Sequence, residues 1–266
     1  MKGRGLLMKQ LTIETIDNVE SYNKNYIEKR QKDLPKFLEK FDPIILNQDL
    51  IPSDGTIVFA GNHDHVRDQY LVIAAYDKAV HWMAKEEYFD TPSFKKNWQK
   101  ASEKIKGVKK IGLPFVVLGN ILIHYIFRNQ IIKSGAIRID RFGDSKTGVE
   151  TAIALAKKGE NIGIFPEGTR KTKTDEEAML LDFKKGAAII AKEADAYLQP
   201  FAKIGLFEDD SIQPVIKFGK PFKIGKMSLE EATKQLQEEV LKLKKELKKE
   251  FLGKKQKIAL VKKSHF

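Results

Sequence analysis

The sequence contains no cysteine, which excludes disulfides and thiolate metal sites and fits a reducing compartment. It has only nine prolines in 266 residues, with no low-complexity linker and no internal repeat. A long apolar run is also missing. The most apolar window, Ile111 to Ile132, is broken by Pro114, Asn120, His124, Arg128 and Asn129. An interfacial or buried helix around Ile121 to Phe127 is therefore expected rather than a clean transmembrane span. Met1 to Met8 is basic and then only briefly apolar, too short for the apolar core of a signal peptide. If this chain meets a membrane, it is expected to lie on the surface.

Acidic residues are in deficit, 36 against 48 lysines and arginines, which leaves a formal net charge of +12. That balance favours anionic partners: nucleic acid, anionic lipid or an acidic carrier protein. The surplus is uneven. Lys242 to Phe266 carries ten lysines against only Glu246 and Glu250. A nucleic-acid binder would need aromatic residues interleaved with such charge. The tail offers only Phe251 and Phe266, and no nucleic-acid motif is present.

The rest of the chain reads as alternating helices and strands. Ile16 to Phe41 has helical spacing, with Pro35 as a point of kinking and Asp42-Pro43 as a stop. Thr56 to Ala60 is a short buried-strand pattern after the Ser53-Asp54-Gly55 turn. Strands are expected at 79–83, 135–140, 161–165, 197–204 and 215–222, with helices at 146–158 and 183–193 between them. Such alternation predicts an α/β domain with a mostly parallel central sheet flanked by helices. The expected organisation is an N-terminal helical segment (1–50), an α/β core (51–225) and a basic amphipathic C-terminal helix and tail (226–266). In the last, Leu229, Leu236, Val240, Leu243, Leu247 and Phe251 recur near heptad spacing. That stripe packs on the core or pairs with another copy.

Three stretches carry chemistry. The first, Asn62-His63-Asp64-His65-Val66-Arg67-Asp68, directly follows the Thr56–Ala60 strand, and functional groups collect at the C-terminal ends of such strands. On a continuous helix His63 and Asp68 would lie about 140° apart and could not pair. A loop at His63 leading into a helix near Asp68 would let the carboxylate fix one imidazole tautomer and leave the other nitrogen as a base. The same residues also fit a polar loop that caps a helix. A third reading is a metal-dependent phosphoesterase, since Gly61-Asn62-His63-Asp64 resembles the Gly-Asn-His-Asp/Glu signature of those enzymes. Their upstream and downstream metal-ligand motifs are missing, and His81, His124 and His265 stand alone.

The second stretch, Gly135-Ala136-Ile137-Arg138-Ile139-Asp140-Arg141, alternates as a strand. Arg138 and Asp140 fall on one face, and Ile137, Ile139 and Arg141 on the other. A guanidinium fork at the strand's end suits phosphate, although an Arg beside an Asp also makes an ordinary surface ion pair. The third, Phe165-Pro166-Glu167-Gly168-Thr169-Arg170, reads as a tight turn after an apolar strand, with Glu167, Thr169 and Arg170 projecting from one place. Such a turn can hold an anion.

In this order the three stretches resemble the glycerolipid acyltransferase family, which includes the 1-acylglycerol-3-phosphate acyltransferases. Asn62, His63 and Asp68 match its Asn-His-x₄-Asp motif. Gly135, Ile137, Ile139 and Arg141 match Gly-x-Ile-x-Ile-x-Arg, and Phe165 to Arg170 match the third motif. Leu198-Gln199-Pro200-Phe201 loosely matches a fourth, and Phe183 to Gly186 a stretch before it. The resemblance spans residues 56–205. It departs from the family pattern at His65, Lys171 and Gln199.

The resemblance implies transfer of a fatty acyl group from a thioester donor, acyl-CoA or acyl carrier protein, to the free hydroxyl of lysophosphatidic acid. Another lysophospholipid or glycerol 3-phosphate is the alternative acceptor. His63 is then the general base and Asp68 its orienting partner, with no enzyme serine, no metal and no resident cofactor. Arg141 and Arg170 bind the acceptor phosphate, while Glu167, Gly168 and Thr169 line the acceptor site. The basic tail and such a substrate together imply a peripheral protein on the cytoplasmic face of an anionic membrane, with no nucleic-acid partner.

Overall fold

The computed structural model describes residues 10–65, 67–89, 128–140, 145–169, 179–205 and 213–252. In chain order the elements are α1 (Val19–Phe41), β1 (Ile44–Leu46), β2 (Ile57–Gly61), α2 (Gln69–Ala75), β3 (Val80–Lys85), β4 (Ile137–Ile139), α3 (Ser145–Lys157), β5 (Asn161–Ile164), α4 (Gly186–Glu193), β6 (Tyr197–Ile204), β7 (Val215–Phe218) and α5 (Leu229–Leu247). The helix expected around Ile121–Phe127 lies outside the described residues, as do Arg141, Arg170, Lys171 and the tail beyond Leu252. Among the described residues, no helix is long and apolar enough to cross a membrane.

The chain divides into two compact units, residues 1–28 with 81–152 and residues 29–80 with 153–266. The second contains a run of strands in the order β1-β7-β6-β2-β5. β2 is parallel to β5 on one side and β6 on the other, and β1 is parallel to β7; β6 and β7 are antiparallel. The expected α/β class with a mostly parallel sheet is therefore what the chain forms. Every residue of β2 is buried, as a strand with a parallel neighbour on each side must be, and this is why Ile57-Val58-Phe59-Ala60 reads as a continuous apolar run. Ile44 to Leu46, within the segment expected to be helical, is a strand. Two β-branched isoleucines after Pro43 suit an extended backbone.

Two backbone details hold this sheet together. Gly61 pairs with Phe201, and a Cβ at Gly61 would sit 2.4 Å from the Phe201 carbonyl oxygen. Only glycine permits that approach. Pro200, in the middle of β6, brings no N–H to the ladder. Gly219 N–H still donates to the Pro200 carbonyl at 2.9 Å, and the Gly219 carbonyl accepts instead from Gln199 Nε2 at 2.7 Å. The departure from the family pattern at Gln199 thus supplies the donor that the proline removes.

Helices cover the sheet. The second half of α1 packs on α2, with Phe37 stacked on Tyr70 at 5.3 Å and Arg30 Nε donating to the Ile73 carbonyl. Pro35 is accommodated inside α1. α5 begins at a capping box, Ser228 with Glu231. Its apolar stripe (Leu236, Val240, Leu243, Leu247) is buried against β6 and β7, so the stripe serves this chain's own core.

In the first unit, β3 and β4 run parallel, with Met83 opposite Ile137. Phe89, Ile132 and Ala136 form a small core with Ala84, Tyr88 and Ile131. His81 is fully buried, with Nδ1 2.9 Å from the Gly135 carbonyl. Gly135 has φ +68°, and a Cβ there would lie 2.6 Å from His81 Nδ1. The motif glycine is therefore required twice over, by its backbone and by the imidazole beside it. Arg138 pairs with Glu86, the residue after β3.

Candidate active site

β2 ends where Asn62 replaces the ladder. Its side-chain amide accepts from the Lys203 N–H at 2.8 Å and donates to the Lys203 carbonyl at 3.2 Å. Asn62 is fully buried and extends the pairing with β6 by one residue while the main chain turns away. His63 starts that turn. Its backbone N–H donates to Glu167 Oε1 at 2.8 Å.

The loop then curls onto Asp68, the residue before α2. Asp68 Oδ2 accepts the Asp64 and His65 N–H groups, both at 2.8 Å, and lies 3.0 Å from His63 Nδ1. A helix would have separated the two side chains; the loop joins them. Asp68 has no solvent exposure, while the His63 side chain keeps 17%. Phe165 stacks on the imidazole with ring centroids 4.0 Å apart and planes 11° from parallel. The ring is thus held at one edge by a carboxylate and on one face by an aromatic.

Lys203 enters from the end of β6. Its Nζ lies 2.8 Å from Asp68 Oδ1 and 3.2 Å from Asp64 Oδ2, and its side chain has no exposure. Lys244, from α5, reaches Asp64 Oδ2 at 3.4 Å and is almost as buried. Asn62 Nδ2 also donates to Asp64 Oδ2. The carboxylates of the loop therefore face two ammonium groups.

Burial pushes the Asp68 carboxyl up, but Lys203, the bond to His63 and the His65 N–H outweigh it and hold Asp68 below its ordinary value. Asp68 is an acceptor, so His63 donates from Nδ1; a neutral imidazole in that tautomer has its lone pair on Nε2, where it can take up a proton. Glu167 goes the other way. Burial raises its carboxyl, and the Leu181 and His63 N–H groups and Lys244 only partly offset this.

The third motif is a turn closed by the Gly168 N–H on the Phe165 carbonyl at 2.9 Å, with Gly168 at φ +69°. Glu167 and Thr169 do not project from one place. Thr169 is exposed, whereas Glu167 is 3% exposed and its two oxygens take the N–H groups of His63 and Leu181. A buried carboxylate needs donors, and two backbone amides supply them. Glu167 ties the His63 loop to the 179–184 segment.

Lys203 and Lys244 escape motif reading, yet each leaves a trace in the sequence. Lys203 is the one charge in the apolar run Tyr197–Ile204, and Lys244 sits on the stripe spacing set by Val240 and Leu247.

Residues 110–203 match the profile of the family described as Acyltransferase. The chain is also 28% identical over 186 residues to the 1-acyl-sn-glycerol-3-phosphate acyltransferase of Bacillus subtilis, covering 70% of this chain and 69% of that protein. The chain is thus similar to acyltransferases over the profile region and to a 1-acyl-sn-glycerol-3-phosphate acyltransferase over most of its length. Among solved structures, the 1-acyl-sn-glycerophosphate (LPA) acyltransferase PlsC of Thermotoga maritima shares its fold, with a TM-score of 0.57 and 20% identity over 84% of this chain and 79% of that one. The profile covers the second and third motifs of this chain and ends at Lys203. The His63 loop precedes it and is brought beside the third motif and Lys203 by the pairing of β2 with β5 and β6.

Proposed function

We propose that this protein transfers a fatty acyl group from a thioester donor, acyl-CoA or acyl carrier protein, to the free hydroxyl of lysophosphatidic acid, giving phosphatidic acid. The observation that carries the reading is the contact of His63 Nδ1 with Asp68 Oδ2 at 3.0 Å, with His63 at the solvent edge and Asp68 buried.

Asp68 orients the imidazole, and His63 Nε2 takes the proton of the acceptor hydroxyl as its oxygen attacks the thioester carbonyl. The tetrahedral intermediate collapses with cleavage of the C–S bond. The imidazolium then returns the proton to the departing thiolate. The substrate oxygen is the nucleophile, so no enzyme acyl intermediate forms, in contrast to serine hydrolases. Arg141 and Arg170 bind the acceptor phosphate, Gly168 and Thr169 line its site, and the chemistry calls on no metal or resident cofactor. The protein acts peripherally on the cytoplasmic face of an anionic membrane, with the basic tail toward the headgroups.

The test is acyl transfer by purified protein on vesicles, read by mass spectrometry. The acceptors are lysophosphatidic acid, other lysophospholipids and glycerol 3-phosphate, each with acyl-CoA or acyl carrier protein. Phosphatidic acid formed fastest from lysophosphatidic acid supports the proposal. Preference for another acceptor replaces the substrate, and no product from any acceptor contradicts the reaction.

A further inference from the structure

The geometry points to Lys203 as a positioning residue that acts through Asp68, fixing that carboxylate's rotamer and charge so that His63 stays a neutral, oriented base. This rests on the proposed role of His63 and adds a third member behind the dyad.

A lysine ammonium is rarely placed where no water reaches it. Here the side chain has no exposure and its Nζ lies 2.8 Å from Asp68 Oδ1. The two carboxylate oxygens have divided labour. Oδ2 receives the imidazole and two backbone N–H groups, and Oδ1 faces the lysine. Rotation of the carboxylate would break both sets at once. The Asn62 amide pairs with both the N–H and the carbonyl of Lys203, so the residue after which the loop leaves β2 also fixes the lysine's backbone.

Charge gives the second part of the argument. His63 meets Asp68 at the start of α2, and Asp64 and His65 follow it in its own loop. Glu167 approaches after β5, Lys203 from β6 and Lys244 from α5. Without Lys203, a buried carboxylate beside an imidazole would draw a proton onto the pair. With it, the added proton meets a cation one group away. The ammonium therefore keeps the pair in its basic form at a lower pH than the carboxylate alone would allow.

Lys203→Met is expected to lower kcat with the acceptor KM little changed, and to move the acid limb of the kcat/KM profile up by about one pH unit. Lys203→Arg keeps the charge and should hold the limb near its wild-type position. Because Lys203→Met strands a buried carboxylate and risks unfolding, the deciding pair is Asp68→Asn against Asp68→Asn with Lys203→Met. With no Asp68 carboxylate to act through, and with Asp64 still paired to Lys244, removing the lysine should leave kcat within about twofold.

Three results overturn the inference: a further loss in the double variant, a double variant that cannot fold, or a folded Lys203→Met protein with a wild-type rate and acid limb. NMR titration of the His63 imidazole in the same proteins needs no acceptor. A rise in the His63 titration midpoint in Lys203→Met supports the inference even if no lysophospholipid is a substrate, and an unmoved midpoint contradicts it.

Discussion

Lys203 Nζ lies 2.8 Å from Asp68 Oδ1, and neither side chain has any exposure to solvent. On the other oxygen of the same carboxylate, His63 Nδ1 is 3.0 Å away. The site is thus a line from buried ammonium through buried carboxylate to an imidazole at the solvent edge. Each group comes from the C-terminal end of a parallel strand or the loop that follows it.

Asp68→Asn is expected to cut the rate by about 10³–10⁴-fold, since an amide can select the wrong imidazole tautomer. The substitution also has a pH signature. The folded Asp68 carboxyl is held below its unfolded value. Its contribution to stability is therefore present above about pH 4 and lost as pH falls through the folded value. Urea midpoints of wild type and variant should converge as pH is lowered from 6 to 3, and a constant gap contradicts the assignment.

Glu167 carries the opposite sign. Its folded carboxyl is raised, so its contribution is fully present below about pH 4 and is lost as pH rises through the folded value. The stability of Glu167→Gln relative to wild type should therefore improve as pH rises from 4 to 7, measured by the same midpoints. Glu167→Ala leaves the His63 and Leu181 N–H groups without their acceptor. It should cost about 1–3 kcal/mol and lower kcat through the loosened loop.

Gln199→Ala tests the repair of the proline strand. The buried Gly219 carbonyl loses the donor at 2.7 Å, for an expected cost of about 1–3 kcal/mol. Denaturant unfolding should show the loss, while kcat at a permissive temperature stays near wild type. A neutral substitution would mean that the carbonyl is satisfied in another way.

The reading of the sequence held best where local pattern and tertiary demand coincide. β2 was legible because a strand with parallel neighbours on both sides is apolar throughout, and the His63 loop because polar residues follow it at once. The turn at Phe165–Gly168 was legible from its proline and glycine. The direction of Glu167 was not, because nothing local says that a turn carboxylate will point inward to two amides from distant segments. Lys203 and Lys244 were hidden for the same reason. A lysine in a strand or on a helix reads as surface charge until its partner, Asp68 or Asp64, is placed beside it by the fold. Gly135 was read as part of a motif, but its cause, the buried ring of His81, lies 54 residues away in sequence.

The basic tail supplies another test. Lys244 is among its ten lysines, yet it is buried and reaches Asp64, so the proposed headgroup attraction falls to the others. Truncation after Gly253 removes Lys254, Lys255, Lys257, Lys262 and Lys263. Binding to anionic liposomes at low salt should weaken by about tenfold or more. Unchanged sedimentation with the vesicles would remove the tail from membrane binding.

The central claim, that His63 is the base, is tested most directly by His63→Ala in the acyl-transfer assay with lysophosphatidic acid. The side chain is partly exposed and its backbone N–H still reaches Glu167, so the variant should fold with a wild-type circular dichroism spectrum. Phosphatidic acid formation should fall by about 10²–10⁴-fold or more. A folded His63→Ala protein with near-normal turnover would contradict the account.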